Sequence, residues 1–311
     1  MRFDKKLEKS IILSYNILIK AKEDTMSIKI ITDSASDISY ELASEYDIDI
    51  MPIVIMKGDE TYLDGVDISG KMIYDDMRQG AVYKTGAISP NEYEEKFKEV
   101  LEKYDKAIYV SLSTGMSSTY NNAVLAKNSL GIGDDRLMLV DSRGASMGQG
   151  LQVLSLAKLN QEGKTFDELK AYAHGFVKNT RYVFFVDSLE YLQRGGRVSK
   201  LSAAIGNLIN MKVVLDVHSD GVIYTEDKVR GTKRAIARTV DFFENEVGHD
   251  LYANTIYVCH ADCEDLANKV KELLVEKYPD MEIKLNPFAV CIGAHTGPGT
   301  VHICTIKNFE L

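Results

Sequence analysis

IKIITDS, at residues 28–34, is a short run of branched apolar residues that ends in Thr, Asp and Ser. The same pattern recurs in KAIYVSLS at 106–113 and in RLMLVDS at 136–142. Amphipathic helical patterns lie between these runs. Apolar runs of this length without polar alternation are typical of strands buried on both faces of a parallel sheet. The sequence therefore predicts an α/β architecture with a largely parallel sheet in this part of the chain.

Helical and strand patterns continue along the chain and define two α/β domains. In the first half, IDIMPIVIM at 48–56 is predicted as one strand, and helices are predicted near 38–46, 70–79, 91–103, 119–129, 147–161 and 166–179. In the second half, the predicted elements are a strand at 181–188, a hairpin at 212–229 with its turn at 219–221, helices at 232–246 and 264–277, strands at 253–260 and 282–290, a glycine-rich turn, and a strand at 301–307. We predict an N-terminal extension of unknown role at 1–25, an N-terminal α/β domain at 26–180 and a C-terminal α/β domain at 181–311.

Charge and hydropathy exclude several classes of partner. The 37 Lys and Arg against 46 Asp and Glu give a net charge of −9, which opposes bulk attraction to nucleic acid or to an anionic membrane. No run approaches the roughly 20 apolar residues that span a bilayer, and the N-terminal stretch lacks a small-residue cleavage site. We therefore expect a cytoplasmic protein with no transmembrane segment and no nucleic-acid partner.

The four cysteines all lie near the C-terminus. Cys259, Cys291 and Cys304 sit in apolar runs that read as strands, and reduced core thiols are the expectation for them. The segment CHADC at 259–263 has no second ligand pair at zinc-type spacing, so the sequence predicts no metal site there.

Small hydroxyl residues cluster at the predicted strand ends and helix starts. The segments are TDSASD at 32–37, KTGAISP at 84–90, STGMSST at 113–119 and DSRGAS at 141–146. Each residue alone is well explained as a helix cap. Because the carboxyl ends of parallel strands meet at one edge of a sheet, the four segments together also fit a site for one small anion such as a carboxylate.

Other site classes find weaker support. The sequence has no G-x-x-x-x-G-K-[ST] segment and no G-x-G-x-x-G after the first strand, so neither nucleotide motif is present. A serine-type esterase is an alternative, with Ser113 or Ser117 as nucleophile, His295 as base, and Asp33 or Asp141 as orienting acid. This alternative lacks the G-x-S-x-G elbow.

Two further segments stand out. His295 lies between glycines in GAHTGPGTV at 293–301, which suggests either a ligand-facing imidazole or a structural histidine in a turn. Five cations lie at Lys228, Arg230, Lys233, Arg234 and Arg238, and they form either a solvated helix face or a docking patch for an acidic partner or a phosphoryl group.

These features together resemble the DegV family of bacterial fatty-acid-binding proteins. The matching segments are TDSASD at 32–37, SLSTGMSSTY at 111–120, VDSLEYLQRGGR at 186–197, EDKVRGTKRA at 226–235 and GAHTGPG at 293–299. The resemblance implies two α/β domains with a long-chain fatty acid buried between them, no catalytic residue and no cofactor. It also implies a role as the lipid-carrying subunit of a fatty acid kinase, whose separate catalytic subunit phosphorylates the carboxylate.

The resemblance also implies roles for individual residues. The carboxylate is expected at Thr85 and Ser113, with Thr114 and Ser117 nearby and His295 close to the headgroup. Arg230 is implied in phosphoryl transfer, together with Arg197 of the R-G-G-R turn. The uncharged segment LSAAIGNLI at 201–209 is a candidate tunnel wall or lid, with a plain buried helix as the alternative.

Overall fold

The computed structural model describes residues 26–197 and 211–311. The predicted N-terminal extension at 1–25 and the candidate lid at 201–209 lie outside the described residues. Among the described helices, none combines the length and the apolar character needed to cross a bilayer.

The described part of the chain alternates strands and helices. The strands are β1 (Ile28–Asp33), β2 (Ile48–Met51), β3 (Val54–Lys57), β4 (Glu60–Leu63), β5 (Lys84–Gly86), β6 (Lys106–Ser111), β7 (Leu137–Asp141), β8 (Thr180–Val186), β9 (Met211–Val217), β10 (Ile223–Arg230), β11 (Thr255–His260), β12 (Glu282–Pro287) and β13 (Val301–Ile306). The α-helices are α1 (Tyr40–Glu45), α2 (Gly70–Arg78), α3 (Pro90–Lys103), α4 (Thr119–Ser129), α5 (Ser146–Gln161), α6 (Phe166–Asn179), α7 (Glu190–Arg194), α8 (Thr232–Val247), α9 (Glu264–Lys277) and α10 (Val290–Thr296).

The first sheet is parallel and has the strand order β2-β1-β6-β7. All six residues of β1 are buried. They include Lys29, whose ammonium group pairs with Asp47 and Asp49. The helix α3 begins with a capping box, in which Ser89 and Glu92 exchange side-chain and backbone hydrogen bonds, and Pro90 follows the cap. The predicted α/β class with a parallel sheet is confirmed.

The second large sheet is mixed and has the order β10-β9-β8-β13-β11-β12. Only β11 and β12 pair in parallel, and the other neighbours are antiparallel. The predicted hairpin is present as β9 and β10. Because β8 begins at Thr180, this sheet starts where the domain boundary is predicted; the boundary itself stays a prediction.

Two predicted elements differ from the structure. The stretch 48–56 is not one strand, because Pro52 separates β2 of the first sheet from β3 of a three-stranded antiparallel sheet with the order β4-β3-β5. Proline lacks the N–H that would continue the ladder. Thr85, expected at a helix start, lies in β5 of this small sheet, opposite Ile55 of β3.

The prediction of a strand over 282–290 followed by a glycine-rich turn is wrong at its end. Residues Val290–Thr296 form the helix α10, and Cys291 therefore lies on a helix. The buried carboxylate of Asp64 accepts hydrogen bonds from the backbone N–H groups of Val290, at 2.9 Å, and Cys291, at 3.3 Å. A side chain from a distant part of the chain thus satisfies the free N–H groups of a short helix.

The hydrophobic core crosses from one half of the chain to the other. The largest cluster joins residues of β1, β6 and α5 to Phe288, Val290 and Cys291 from the C-terminal half. A second cluster lies between α8, α9 and the six-stranded sheet. The segment that carries α10 is therefore part of the core of the N-terminal half.

Candidate ligand-binding site

A cavity of about 230 Å³ lies between the first sheet and the six-stranded sheet. Most of its wall is apolar and comes from both halves of the chain. The apolar and aromatic wall residues include Ile53, Leu112, Met116, Tyr182, Phe184, Leu192, Val217, Ile223, Phe288 and Ile292. A concave, mostly apolar wall built from strands and helices favours an apolar ligand.

Polar groups line part of the same wall. Of the predicted site residues, the cavity brings together Thr85, Ser117, Arg197 and His295, and Ser118 joins them. These side chains come from β5, the start of α4, the turn after α7 and the end of α10.

Thr85 and His295 form a hydrogen-bonded pair, with 2.8 Å between Thr85 Oγ1 and His295 Nε2. Burial, with a contribution from the nearby Arg197 charge, lowers the pKa of His295 to about 4, so the imidazole is neutral at physiological pH. A neutral imidazole that carries its proton on Nε2 donates to the Thr85 oxygen. The Thr85 hydroxyl then has its own proton available for a ligand in the cavity.

Arg197 brings a positive charge to the cavity wall. Its Nε donates to the carbonyl of Met116 at 3.0 Å, and another of its N–H groups donates to the carbonyl of Gly195. Burial lowers the pKa of Arg197, and no carboxylate in the described part of the chain pairs with it. A partly buried cation whose recorded partners are uncharged can accommodate a ligand anion.

The two serines before α4 differ in their hydrogen bonds. The hydroxyl of Ser117 accepts from the N–H of Thr119 at 3.2 Å and shares a 2.8 Å hydrogen bond with its hydroxyl. Ser118 occupies the cap position of α4, yet its side chain makes no capping hydrogen bond. Ser118 therefore offers a hydroxyl to the cavity, at the positive end of a helix.

Ser113 and Thr114 lie outside the cavity wall. Ser113 is fully buried, and its hydroxyl donates to the carbonyl of Gly221 at 2.7 Å. Thr114 is exposed, and its hydroxyl donates to Asp141 Oδ2 at 2.6 Å. The geometry gives both residues structural partners and does not bring them to the Thr85–His295 pair.

The same contacts do not form an esterase triad. Ser113 is bonded to Gly221 and not to His295, whose recorded partner is Thr85. Asp33 accepts from Tyr109 and from the N–H of Leu112, away from any histidine. A nucleophile needs a base within hydrogen-bond reach, and the described residues provide no such arrangement for Ser113.

Arg230 ends β10 and is exposed, and it is not part of the cavity wall. In the same basic segment, Arg238 Nε pairs with Asp227 at 2.6 Å. The segment is thus a surface feature at the junction of β10 and α8, separate from the polar part of the cavity.

A second, smaller cavity of about 160 Å³ meets the first at Thr85, Arg197 and His295, which line both. Its wall also includes the basic residues Lys84 and Arg194. The polar groups therefore separate an apolar compartment from one with additional positive charge.

Sequence reasoning missed several wall residues. Ser118 lies in the STGMSST segment, but the family resemblance points to its neighbours Ser113 and Ser117 as carboxylate contacts. Ser146 and His302 also line the cavity. Ser146 ends the segment DSRGAS, from which no single residue was predicted, and His302 lies in none of the four hydroxyl-rich segments. His302 reaches the cavity because its side chain points to the face of β13 opposite to that of Val301 and Ile303, and the sheet packing places the cavity on that face.

The fold thus has two large sheets with an apolar cavity between them, and hydroxyl groups and a cation line part of the cavity wall. The DegV family model matches residues 27–308, and the chain belongs to the DegV family.

Relatives and solved structures agree with this membership. A DegV domain-containing protein of Clostridium perfringens is 31% identical over 278 residues, covering 88% of this chain and 95% of the relative. The structure described as fatty acid binding of a DegV family protein from Thermus thermophilus superposes with a TM-score of 0.83 at 28% identity, covering 91% of this chain and 100% of that one. The structure of DegV, a fatty acid binding protein from Bacillus subtilis, has a TM-score of 0.81 at 29% identity, with coverage of 91% and 100%.

Proposed function

We propose that this chain binds a long-chain fatty acid with its acyl chain in the apolar cavity, and presents the carboxylate to a separate kinase subunit. The proposal rests on one observation: an apolar wall adjoins Thr85, His295 and the Arg197 guanidinium, which pairs with no carboxylate of residues 26–197 and 211–311. The fatty-acid-binding proteins of Thermus thermophilus and Bacillus subtilis, which share the fold, support it.

The apolar wall supplies most of the affinity. A sixteen-carbon acid has about fourteen methylenes, and burying each contributes about 0.8 kcal/mol, or roughly 11 kcal/mol before the entropy costs of binding. Hydrogen bonds to a charged carboxylate add about 1.5–3 kcal/mol each. The tail therefore sets the strength of binding, and the headgroup contacts set the orientation.

The headgroup contacts follow from what a carboxylate requires. An ionised carboxylate only accepts hydrogen bonds, so its partners must be donors. Thr85 has a free hydroxyl proton when His295 donates to it, Ser118 has a hydroxyl without a cap bond, and Arg197 has the charge. In this proposal Ser117 is a secondary contact, and Ser113 and Thr114 maintain the loop.

Lipid binding is tested by native mass spectrometry with lipid extraction, followed by titration of delipidated protein with oleate or palmitate. Thr85→Val keeps the shape and removes the hydroxyl, and we expect affinity to fall about tenfold. Thr114→Val makes the same change outside the cavity and is expected to leave affinity unchanged. Protein that binds neither acid, or equal losses in the two variants, would contradict the assignment.

Presentation to a kinase uses the second cavity and the basic surface. Lys84 and Arg194 line the second cavity, which adjoins the groups proposed to hold the carboxylate. Their positive charge would favour an incoming phosphoryl group. In the transfer, a carboxylate oxygen forms a bond to the γ-phosphorus of ATP as the bond to ADP breaks, giving acyl phosphate and ADP. The kinase subunit supplies the ATP, and this chain supplies the acid.

Arg230 is the residue whose replacement tests the kinase role. With a fatty acid kinase catalytic subunit, ATP and bound oleate, we expect Arg230→Ala to lower acyl-phosphate formation at least tenfold without changing oleate affinity. Lys269→Ala removes an exposed cation from α9 and serves as the control. Unchanged acyl-phosphate formation in Arg230→Ala would contradict a role of the basic segment in the kinase reaction and would favour a solvated surface. The proposal of lipid binding would not be affected.

A further inference from the structure

The pairing of β11 with β13 brings together three side chains of the types that bind metal ions, although β11 and β13 are more than 40 residues apart in the sequence. Cys259 lies directly opposite His302 in the antiparallel register, and Cys304 follows two positions further on. Residues two apart on a strand point to the same face of a sheet. One sulfur from β11 therefore meets a ring nitrogen and a second sulfur from β13.

The three ligand atoms lie within 4.8 Å of one another. With Zn–S bonds of about 2.3 Å, tetrahedral ligands stand roughly 3.8 Å apart, so the side chains need to move by only about 1 Å to share one ion. The Cys259 sulfur is therefore already close to both of the other ligand atoms.

We propose that Cys259, His302 and Cys304 form a binding site for a thiophilic metal ion, of which Zn²⁺ is the leading candidate. Two thiolates and one imidazole are a donor set suited to Zn²⁺ or Cu⁺ and poorly suited to Mg²⁺ or Ca²⁺. Two thiolates also neutralise a divalent ion, so the loaded site carries no net charge into a buried environment.

The surroundings hold the ligands in place. The His302 ring stacks on Tyr182 with an interplanar angle of 5° and meets Phe184 edge-on at 88°. Ser146, which lines the same cavity as His302, donates to the buried carboxylate of Asp37. Outer groups of this kind orient metal ligands and tune their affinity.

The cavity gives the site an entrance and an open coordination position. Cys259 and Cys304 are fully buried, whereas His302 and Ser146 line the cavity wall. A metal held by three protein ligands would therefore have its fourth position directed toward the cavity, where water or another small donor completes the tetrahedron. Metal binding at these residues requires no lipid.

The test uses full-length protein that is reduced, freed of lipid and treated with a chelator. Titration with Co²⁺ should saturate at one ion per chain, with a thiolate-to-Co²⁺ charge-transfer band and the strong visible bands of a tetrahedral site, and Zn²⁺ should displace them. Cys259→Ser and Cys304→Ser should lose the charge-transfer band or reduce it by half, and His302→Gln should weaken Co²⁺ binding at least tenfold. Absence of these bands in the reduced wild-type protein would overturn the proposal.

Controls separate this site from the neighbouring CHADC segment. Cys263 donates its thiol to the carbonyl of Thr300 at 3.3 Å and is not one of the clustered ligands. Cys263→Ser and His260→Gln should therefore keep the full spectrum, and loss of the bands in either variant would contradict the assignment. X-ray absorption of Zn²⁺-loaded wild-type protein avoids dependence on variant folding: two sulfurs near 2.3 Å are expected, and a shell without sulfur refutes the site.

Discussion

Gly195 lies so close to His295 that a Cβ atom at position 195 would come within 2.2 Å of His295 Nδ1. That ring nitrogen is buried and has no hydrogen-bond partner among the described residues. The bare Cα of Gly195 limits the position of the imidazole on one side, and the hydrogen bond to Thr85 fixes it on the other. Gly195 of the R-G-G-R turn therefore acts on the cavity through its close approach to His295.

Gly195→Ala should displace the His295 ring and lower oleate affinity about tenfold, because the Thr85 hydroxyl loses its orienting partner. Affinity is measured by titration of delipidated protein. His295→Ala removes the clash, so adding Gly195→Ala to it should cost no further affinity. Additive losses in this double-mutant cycle would show that Gly195 acts by another route.

Ser113→Ala should reduce the free energy of unfolding by about 1–3 kcal/mol, because the buried carbonyl of Gly221 loses its hydrogen-bond donor. Oleate affinity should change little, since the Ser113 hydroxyl points to the β9–β10 turn. Denaturant unfolding and lipid titration of the same samples separate the two effects. A large loss of affinity at unchanged stability would restore Ser113 as a direct carboxylate ligand.

The low pKa of His295 predicts a loss of stability in acid. The folded chain has a His295 pKa of about 4 and the unfolded chain about 6.5, so the unfolded state binds more protons between these values. Stability should therefore fall by up to about 3 kcal/mol as the pH drops from about 6.5 to 4. Urea unfolding across this range should show a flatter profile for His295→Asn than for wild type, and parallel profiles would refute the assigned pKa.

Asp216 predicts the opposite trend. Burial raises its pKa to about 7, although the N–H of Val217 donates to its carboxyl group and opposes the shift. The folded state then holds a proton that the unfolded state releases above about pH 4, so this group lowers stability as the pH rises from about 4 to 7. Asp216→Asn should unfold at higher urea concentration than wild type at pH 8 and at nearly the same concentration at pH 4. A variant that is less stable at pH 8 would contradict the raised pKa.

Much of the fold could be predicted because buried parallel strands leave a direct signature. The runs at 28–34, 106–113 and 136–142 became β1, β6 and β7 because both faces of these strands are covered. The hairpin of β9 and β10 was equally visible, since the turn residues Ser219–Gly221 separate two strand patterns. These elements could be predicted because neighbouring residues in the sequence carry the strand and turn patterns that define them.

The helix α10 could not be predicted because its stabilising partner is remote. VCIGAHT contains two β-branched aliphatic residues and a glycine, and its intrinsic helical propensity is poor. The capping carboxylate comes from Asp64, 226 positions earlier than Val290. The hydrogen bond of Ser113 could not be predicted for a similar reason, because its acceptor is the carbonyl of the distant Gly221.

The Asp64 contact also orders events during synthesis of the chain. The carboxylate of Asp64 is buried, and the amides that satisfy it belong to residues 290 and 291. While the ribosome is still translating the second half, this carboxylate has only the Ser34 hydroxyl and water as partners. The N-terminal half should therefore be less stable until nearly the whole polypeptide has emerged, and a nascent chain stalled near residue 200 should be cleaved by proteases more readily than the complete chain.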